Sequence, residues 1–190
     1  MDEGARLAVV GYLLRSDADR DWIEAIRRKH DAAKAAMIAA HVTLVFPTGL
    51  LPEAAMLDHL RHRLRGVAPI DIDLSTAVPV PDDQTSDHCV FLLPGRGREA
   101  LEALHDRLYS GPLTPALRPD LPYHPHVTVA RLRDAATAAS VAGEIRRQGR
   151  VVRGCLAAMT LLRCFPDKVE TVATLPLSAP AQLSHCRERL

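Results

Sequence analysis

The sequence predicts an α+β fold of two lobes related by a pseudo-twofold axis, each lobe a mainly antiparallel sheet with helices packed outside, the two facing one another across a central cleft. Three observations point there. The tetrapeptide His-Val-Thr-aliphatic occurs twice, as His41-Val42-Thr43-Leu44 and as His126-Val127-Thr128-Val129. Each copy follows an apolar strand-like run and a helical segment and precedes a helix and a further strand-like run. Both halves therefore read β-α-β-α-β, the pattern of an internal duplication. Finally, the copies stand 85 positions apart, and a cleft between two lobes is the simplest arrangement that brings both to one substrate.

The elements follow in order. Residues 7–14, LAVVGYLL, form an apolar run of strand length. Trp22, Ile26, Ala33 and Met37 fall at helical spacing and predict a helix before the first His-Val-Thr strand. Pro52 suits a first helical turn, Leu57, Leu60 and Leu64 supply an apolar stripe, and Gly66 marks the stop. Ile70-Asp71-Ile72-Asp73-Leu74 alternates as a half-buried strand does. In the second half the order repeats: a strand at 89–93, a helix carrying Leu101, Leu104 and Leu108, the second motif, then a helix with Val141 and Ile145 between an Asp134 N-cap and Gly149. A strand-like stretch at 151–164, a turn at Phe165-Pro166-Asp167 and a last strand at 169–177 complete the series. One domain is expected over 1–178, with halves at 1–80 and 86–178 and a tail at 179–190. Residues 79–87 read as the join between the halves, 111–125 as the least structured loop, and 184–190 as a frayed or weakly docked end.

Successive side chains on a strand alternate faces, so within each copy the histidine and the threonine point to one side. Histidine accepts or donates a proton near neutrality, and a threonine hydroxyl two residues on can hydrogen-bond an oxyanion such as phosphate. Two imidazoles are the raw material of a paired acid and base.

Composition narrows the classes. With 190 residues, 47% of them hydrophobic, the chain is ample for a compact core. A net charge of +1, from 24 basic and 23 acidic residues, provides no global field for a polyanion. That disfavours coating duplex DNA and favours a nucleotide or an RNA end held in a local pocket. The basic clusters Arg61-His62-Arg63 with Arg65, and Arg146, Arg147, Arg150 and Arg153, read as solvated faces. Cys89, Cys155, Cys164 and Cys186 lack metal-ligand or redox spacing and read as free thiols in a reducing compartment. The first apolar run is too short to cross a membrane and follows an acidic pair, Asp2 and Glu3, so a cytoplasmic chain with no signal peptide and no membrane partner is expected. Gly-rich phosphate loops and nucleophile elbows are missing from the sequence. His124 and His126 flank Pro125, yet no carboxylate or thiolate cluster completes a metal site, and no cofactor is expected.

The segments His41-Val42-Thr43-Leu44-Val45-Phe46 and Pro125-His126-Val127-Thr128-Val129-Ala130-Arg131 resemble the two-histidine phosphoesterase superfamily, in particular its bacterial branch of RNA 2′,3′-cyclic phosphodiesterases, also called 2′-5′ RNA ligases. The element order resembles that branch over about residues 7–177. The resemblance implies a bilobed α+β fold and metal-independent chemistry on a phosphodiester. The common substrate there is a 2′,3′-cyclic phosphate at an RNA end or on a small nucleotide, opened to the 2′-phosphate, with weak 2′-5′ ligation as the reverse. Carried over by position, His41 and His126 match the catalytic pair, and Thr43 and Thr128 the phosphate-binding hydroxyls. Arg131 matches an arginine near the substrate phosphate. Its odd offset of five from His126 requires a bulge, strand end or twist if it is to share the cleft face. Phe46 and Tyr123 are the candidates to stack on a base, although the sequence favours core packing for Phe46, while Tyr123 stands in a proline-rich loop where either role is open. Other phosphodiesters remain open as substrates, namely a 2′-5′-linked oligonucleotide, a cyclic dinucleotide or a non-RNA metabolite. So do an idle nucleotide-binding module and the choice of which histidine is acid and which base. A monomer is expected.

Overall fold

Among the residues described by this computed structural model, 5–83 and 85–178, the strands form two wholly antiparallel sheets. Sheet one has the order β3-β1-β8-β9, with β1 at Arg6–Gly11, β3 at Val42–Thr48, β8 at Ala158–Cys164 and β9 at Val169–Pro176. Sheet two has the order β2-β7-β4-β5-β6, with β2 at Leu14–Arg15, β4 at Ile70–Pro81, β5 at His88–Pro94, β6 at Val127–Leu132 and β7 at Val152–Leu156. The helices are α1 (Asp17–His30), α2 (Ala32–Met37), α3 (Glu53–Arg63), α4 (Arg98–Leu108) and α5 (Ala135–Arg147), with a short 3-10 helix at Gly111–Ala116 inside the expected loop. The two sheets correspond under the expected duplication: β3 and β6 carry the motifs and lie at sheet edges, with β1 and β5 beside them and β8 and β4 next in line.

The helix stripes read from the sequence face the core in α3, α4 and α5, whereas of the first stripe Trp22, Ile26 and Met37 are half-buried, Ala33 is exposed, and Ile23 is the buried aliphatic residue of α1 that the spacing missed. Ile23 of α1, Met56 and Leu60 of α3, Leu101, Leu104 and Leu108 of α4, and Ala138, Val141 and Ile145 of α5 are buried with Val9, Val45, Ile72, Leu92 and Val129 of the sheets. Each large aliphatic side chain so removed from water contributes about 1.5–3 kcal/mol before entropy is counted. Asp134 caps α5 by accepting the Thr137 N–H at 2.8 Å. Gly66 and Gly149 take φ of 70° and 61° where α3 and α5 end, the left-handed conformation that favours glycine.

Several expectations need correction. The lobes are not the sequence halves 1–80 and 86–178. Strand β4 joins sheet two, while β8 and β9 return to sheet one. Strands β4 and β5 pair antiparallel with Pro81 opposite His88 instead of being parted by a join between lobes, and the Asp82 N–H donates to the Asp87 carbonyl at 2.9 Å. Pro79 and Pro81 disguise the pairing, because they sit where β4 pairs with β5 alone and has no β7 neighbour, a position that tolerates a missing N–H. The runs 7–14 and 151–164 are each two strands, since the chain crosses between sheets after Gly11 and again at Ala157. A Cβ at Gly11 would stand 2.8 Å from Leu156 and 3.1 Å from Met159, so the glycine lets the crossovers pack together. Trp22 and Ile26 belong to α1 but Ala33 and Met37 to α2, the chain being broken at Asp31 with φ −155°.

The cysteines also depart from expectation. Cys89 and Cys164 are free, as expected, and burial raises both thiols, Cys89 to about 11, which keeps them unreactive. Cys155 is disulfide-bonded, a pairing that linear spacing cannot report. Cys186 and the expected tail at 179–190 lie outside the described residues. No helix among those described is long and apolar enough to cross a membrane.

Candidate active site

Each motif histidine stands at the residue just before its strand, and the two copies share one burial pattern. His, Thr and the residues after them run half-buried, buried, half-buried, buried, buried over 41–45 and again over 126–130. The doubled burial after each threonine marks a β-bulge. On β3, Thr43 lies opposite Val10 and Val45 opposite Val9, so Leu44 is the extra residue. On β6, Thr128 lies opposite Phe91 and Ala130 opposite Val90, so Val129 is the extra one. The bulge resolves the odd offset of Arg131. That residue pairs with Cys89, two positions along β5 from Phe91, and so shares the face of Thr128.

Both imidazoles are held in the same way. His41 Nδ1 lies 2.8 Å from the Ala39 carbonyl, and His126 Nδ1 lies 2.6 Å from the His124 carbonyl. A carbonyl only accepts, so each Nδ1 carries the proton and donates, which leaves Nε2 as the nitrogen free to take one. Among the described residues neither Nε2 and neither threonine hydroxyl has a hydrogen-bond partner. The rings are fixed further by aromatic neighbours. Phe91 stacks on His126 with centroids 3.6 Å apart and planes at 12°, and Tyr12 meets His41 edge-on at 6.1 Å.

The surroundings of both rings disfavour charge on them. Burial pushes His126 down to about 4, helped by the nearby positive charges of His41 and His124 and opposed by the bond to the His124 carbonyl. Burial likewise lowers His41, with Arg27 adding to the effect and the Ala39 carbonyl and Glu24 opposing it. A bound phosphate anion would reverse this by supplying the opposite charge.

The remaining sequence candidates divide. Arg131 shares the face of Thr128 but is ion-paired with Asp82, and among the described residues its Nε is buried without a partner. Phe46 is 44% exposed and follows core-facing Val45, so core packing is not its role. Tyr123 instead packs against the core. Its ring stacks on His105 at 3.8 Å, and its hydroxyl donates to the Thr43 carbonyl at 2.8 Å. Tyr109 does similar work on the same edge strand, its hydroxyl accepting the Phe46 N–H at 3.1 Å. The phenols thereby occupy backbone groups of β3 that no strand covers. Tyr12 and Phe91 were missed in the sequence because each sits in an apolar run that reads as core. Only their placement beside the histidines distinguishes them. Within the basic clusters, Arg150 pairs with Asp19 and covers the Trp22 ring, and Arg146 donates to the Ala77 carbonyl, so part of the second cluster is structural. Among the described residues no three His, Cys, Asp or Glu side chains converge as a metal site would need.

Several solved structures share this architecture. E. coli LigT complexed with phosphate superposes with a TM-score of 0.61 at 18% identity, covering 93% of this chain and 99% of that one. TT0787 of Thermus thermophilus gives 0.60 at 18%, covering 92% and 98%. Kluyveromyces marxianus Usb1 gives 0.56 at 15%, covering 90% and 98%. At these identities the likeness is one of fold. No protein of curated function matches the chain by sequence. The model of the 2′-5′ RNA ligase superfamily matches residues 15–164, a span that holds both histidine motifs and both bulges, and the chain belongs to that superfamily of two-histidine phosphoesterases.

Proposed function

We propose that the chain is a metal-independent phosphodiesterase that hydrolyses 2′,3′-cyclic phosphates, at RNA ends or on small nucleotides, to 2′-phosphates. The observation that carries this reading is the matched pair of imidazoles, each with Nδ1 committed to a carbonyl two residues back and Nε2 free, and each followed by a threonine on the same face. One Nε2 takes a proton from water as its oxygen attacks phosphorus. The bond from phosphorus to the 3′ oxygen breaks, and the other imidazole, protonated, gives its proton to that departing oxygen. Thr43 and Thr128 donate to the non-bridging oxygens as charge builds on them, and Arg131 joins them if substrate draws it from Asp82. Charge is then neutralised by imidazolium, hydroxyls and guanidinium, so the reaction requires no cation. A 5′-hydroxyl in place of water would attack the cyclic phosphate by the same route, giving its proton to the first imidazole and displacing the 3′ oxygen, which takes the proton of the second; the product is a 2′-5′ linkage, which accounts for weak ligation.

A nucleotide-like substrate is supported by the structural neighbours: E. coli LigT has been crystallised with phosphate, 3′-AMP, ATP and NADP+. Exposed Phe46 is the aromatic left free to stack on a base. The test is a panel of 2′,3′-cyclic mononucleotides, RNA with a cyclic end, and 2′-5′ and 3′-5′ dinucleotides, each with a chelator present. Turnover of the cyclic phosphates to 2′-phosphates is expected. Cleavage confined to 2′-5′ dinucleotides would move the assignment to linear phosphodiesters, and binding without turnover would make the chain a nucleotide-binding module.

A further inference from the structure

The backbone that delivers His41 to the cleft is held by an ion pair that the proposed reaction does not touch. Glu24 and Arg27 stand one turn apart on α1, with side chains 15% and 3% exposed. Arg27 Nη1 donates to Glu24 Oε2 at 2.7 Å. Each partner has a second commitment. Glu24 Oε1 accepts the Ala40 N–H at 2.7 Å, while Arg27 Nη2 donates to the Ile38 carbonyl at 2.7 Å and to the Lys34 carbonyl at 3.4 Å. The residues on either side of Ala39 are therefore pinned to α1, and it is the Ala39 carbonyl that accepts the His41 Nδ1 proton.

We propose that Glu24 and Arg27 are positioning residues for His41: by fixing the backbone on both sides of Ala39 they aim the carbonyl that selects the tautomer and plane of the imidazole, and so place its Nε2 in the cleft. The second copy shows why a clamp is needed at the first. The position equivalent to Ala40 is Pro125, whose ring fixes φ and which has no N–H to satisfy. Ala40 is 3% exposed and has neither restraint, so its N–H must find a partner, and Glu24 supplies it. The helix that carries the clamp also packs against β6, the strand of the other histidine. One rigid element thus holds the approach to His41 while resting on the strand that follows His126. Arg15 Nη2 also stands 3.9 Å from Glu24 Oε1 with its side chain 7% exposed, so a variant that takes the charge from Glu24 leaves Arg15 beside a neutral partner, whereas one that changes Arg27 alone keeps that pair; both are checked for a native amide spectrum before they are compared.

The test reads the imidazole nitrogens directly, by NMR of protein labelled with 15N-histidine at neutral pH, where the shifts report which nitrogen bears the proton. Two variants are compared with wild type. Arg27→Lys keeps the charge pair with Glu24 but cannot reach the Ile38 carbonyl as well. The double variant Glu24→Gln/Arg27→Met removes both charges while retaining an acceptor for Ala40. In each, His41 is expected to pass from a single Nδ1–H tautomer to a mixture while His126, held by the His124 carbonyl, keeps its own. With a cyclic phosphate as substrate, kcat should fall by about 10²-fold with KM little changed, the loss expected for an ångström of misplacement. A single Nδ1–H tautomer at His41 in both variants would overturn the proposal. So would tautomer changes at both histidines together, which would mark a general loosening of the fold. The rate measurement rests on the proposed activity, but the tautomer measurement needs no substrate. A shifted His41 in a chain inert towards cyclic phosphates would therefore discard the activity and keep the positioning role.

Discussion

Acidification should destabilise the protein through His126, and the size of the effect follows from the burial of that ring. Burial and the neighbouring imidazole charges push His126 from 6.5 to about 4. The folded pKa lies below the unfolded one. Between 6.5 and about 4 the unfolded chain takes up a proton at this residue that the native protein refuses. Stability is therefore fully present above 6.5, falls as the pH drops through that window, and levels off below about 4. A gap of about 2.5 units at 1.36 kcal/mol per unit gives a loss of about 3 kcal/mol. Against a typical domain stability of about 5–15 kcal/mol, such a loss is easily measured.

The assay is urea unfolding of wild type and His126→Asn at pH steps between about 7.5 and 4, read as the difference between the two proteins, so that other histidines cancel. The difference should shrink towards acid by about 3 kcal/mol in the sense that wild type loses more. Because a charge on His41 adds to the depression, His41→Asn should raise the His126 midpoint and reduce the slope. A wild-type-minus-variant difference that is flat across this range, or grows towards acid, would refute the account of the cleft as a site that excludes imidazolium in the absence of an anion.

Other outcomes follow from the same geometry. His41→Ala and His126→Ala should each lower turnover by about 10²–10⁴-fold in a folded protein, and their losses should not add in the double variant; near-wild-type rates in either would end the two-histidine reading. Activity should survive EDTA, and a preparation killed by chelation and restored by one divalent ion would show that a cation is required. The kcat/KM profile should be a bell with its optimum on the acid side of 6.5, rising near about 4, because one imidazole must be neutral while the other is protonated and both are lowered in the free enzyme. Thr43→Val and Thr128→Val should reduce the rate without moving either limb, and threonine variants as active as wild type would remove the hydroxyls from the site. Tyr123→Phe should cost about 1 kcal/mol in urea unfolding by freeing the Thr43 carbonyl, and an unchanged midpoint would mean that water replaces the phenol without loss.

Properties that belong to a single segment were legible in the chain before it folded. Alternation along a strand puts His41 with Thr43 and His126 with Thr128 whatever lies beside them, and the structure keeps both pairings. The Asp134 cap and the glycines at 66 and 149 are equally local, since capping and left-handed backbone need only the nearest few residues. Periodicity, however, records which face of a segment is buried and not what buries it. The apolar runs at 7–14 and 151–164 look continuous because both halves of each are buried, although they serve different sheets. For the same reason the lobes could not be read as anything but sequence halves. The exchange of β4 and β8 between them is a matter of which edges pair. The bulges at Leu44 and Val129 exist only relative to β1 and β5, and it is the second that carries Arg131 onto the face of Thr128, where Asp82 then holds it. For Tyr123, whose loop left stacking and packing both open, the choice is made by His105 and the Thr43 carbonyl, distant in sequence, while Phe46, expected in the core, stays exposed. Glu24 and Arg27 read as ordinary charges on a helix. Their commitment to Ala40 and Ile38 appears only when α1 folds back on the segment ahead of His41, because a hydrogen bond across 16 or 11 residues leaves no period in the chain.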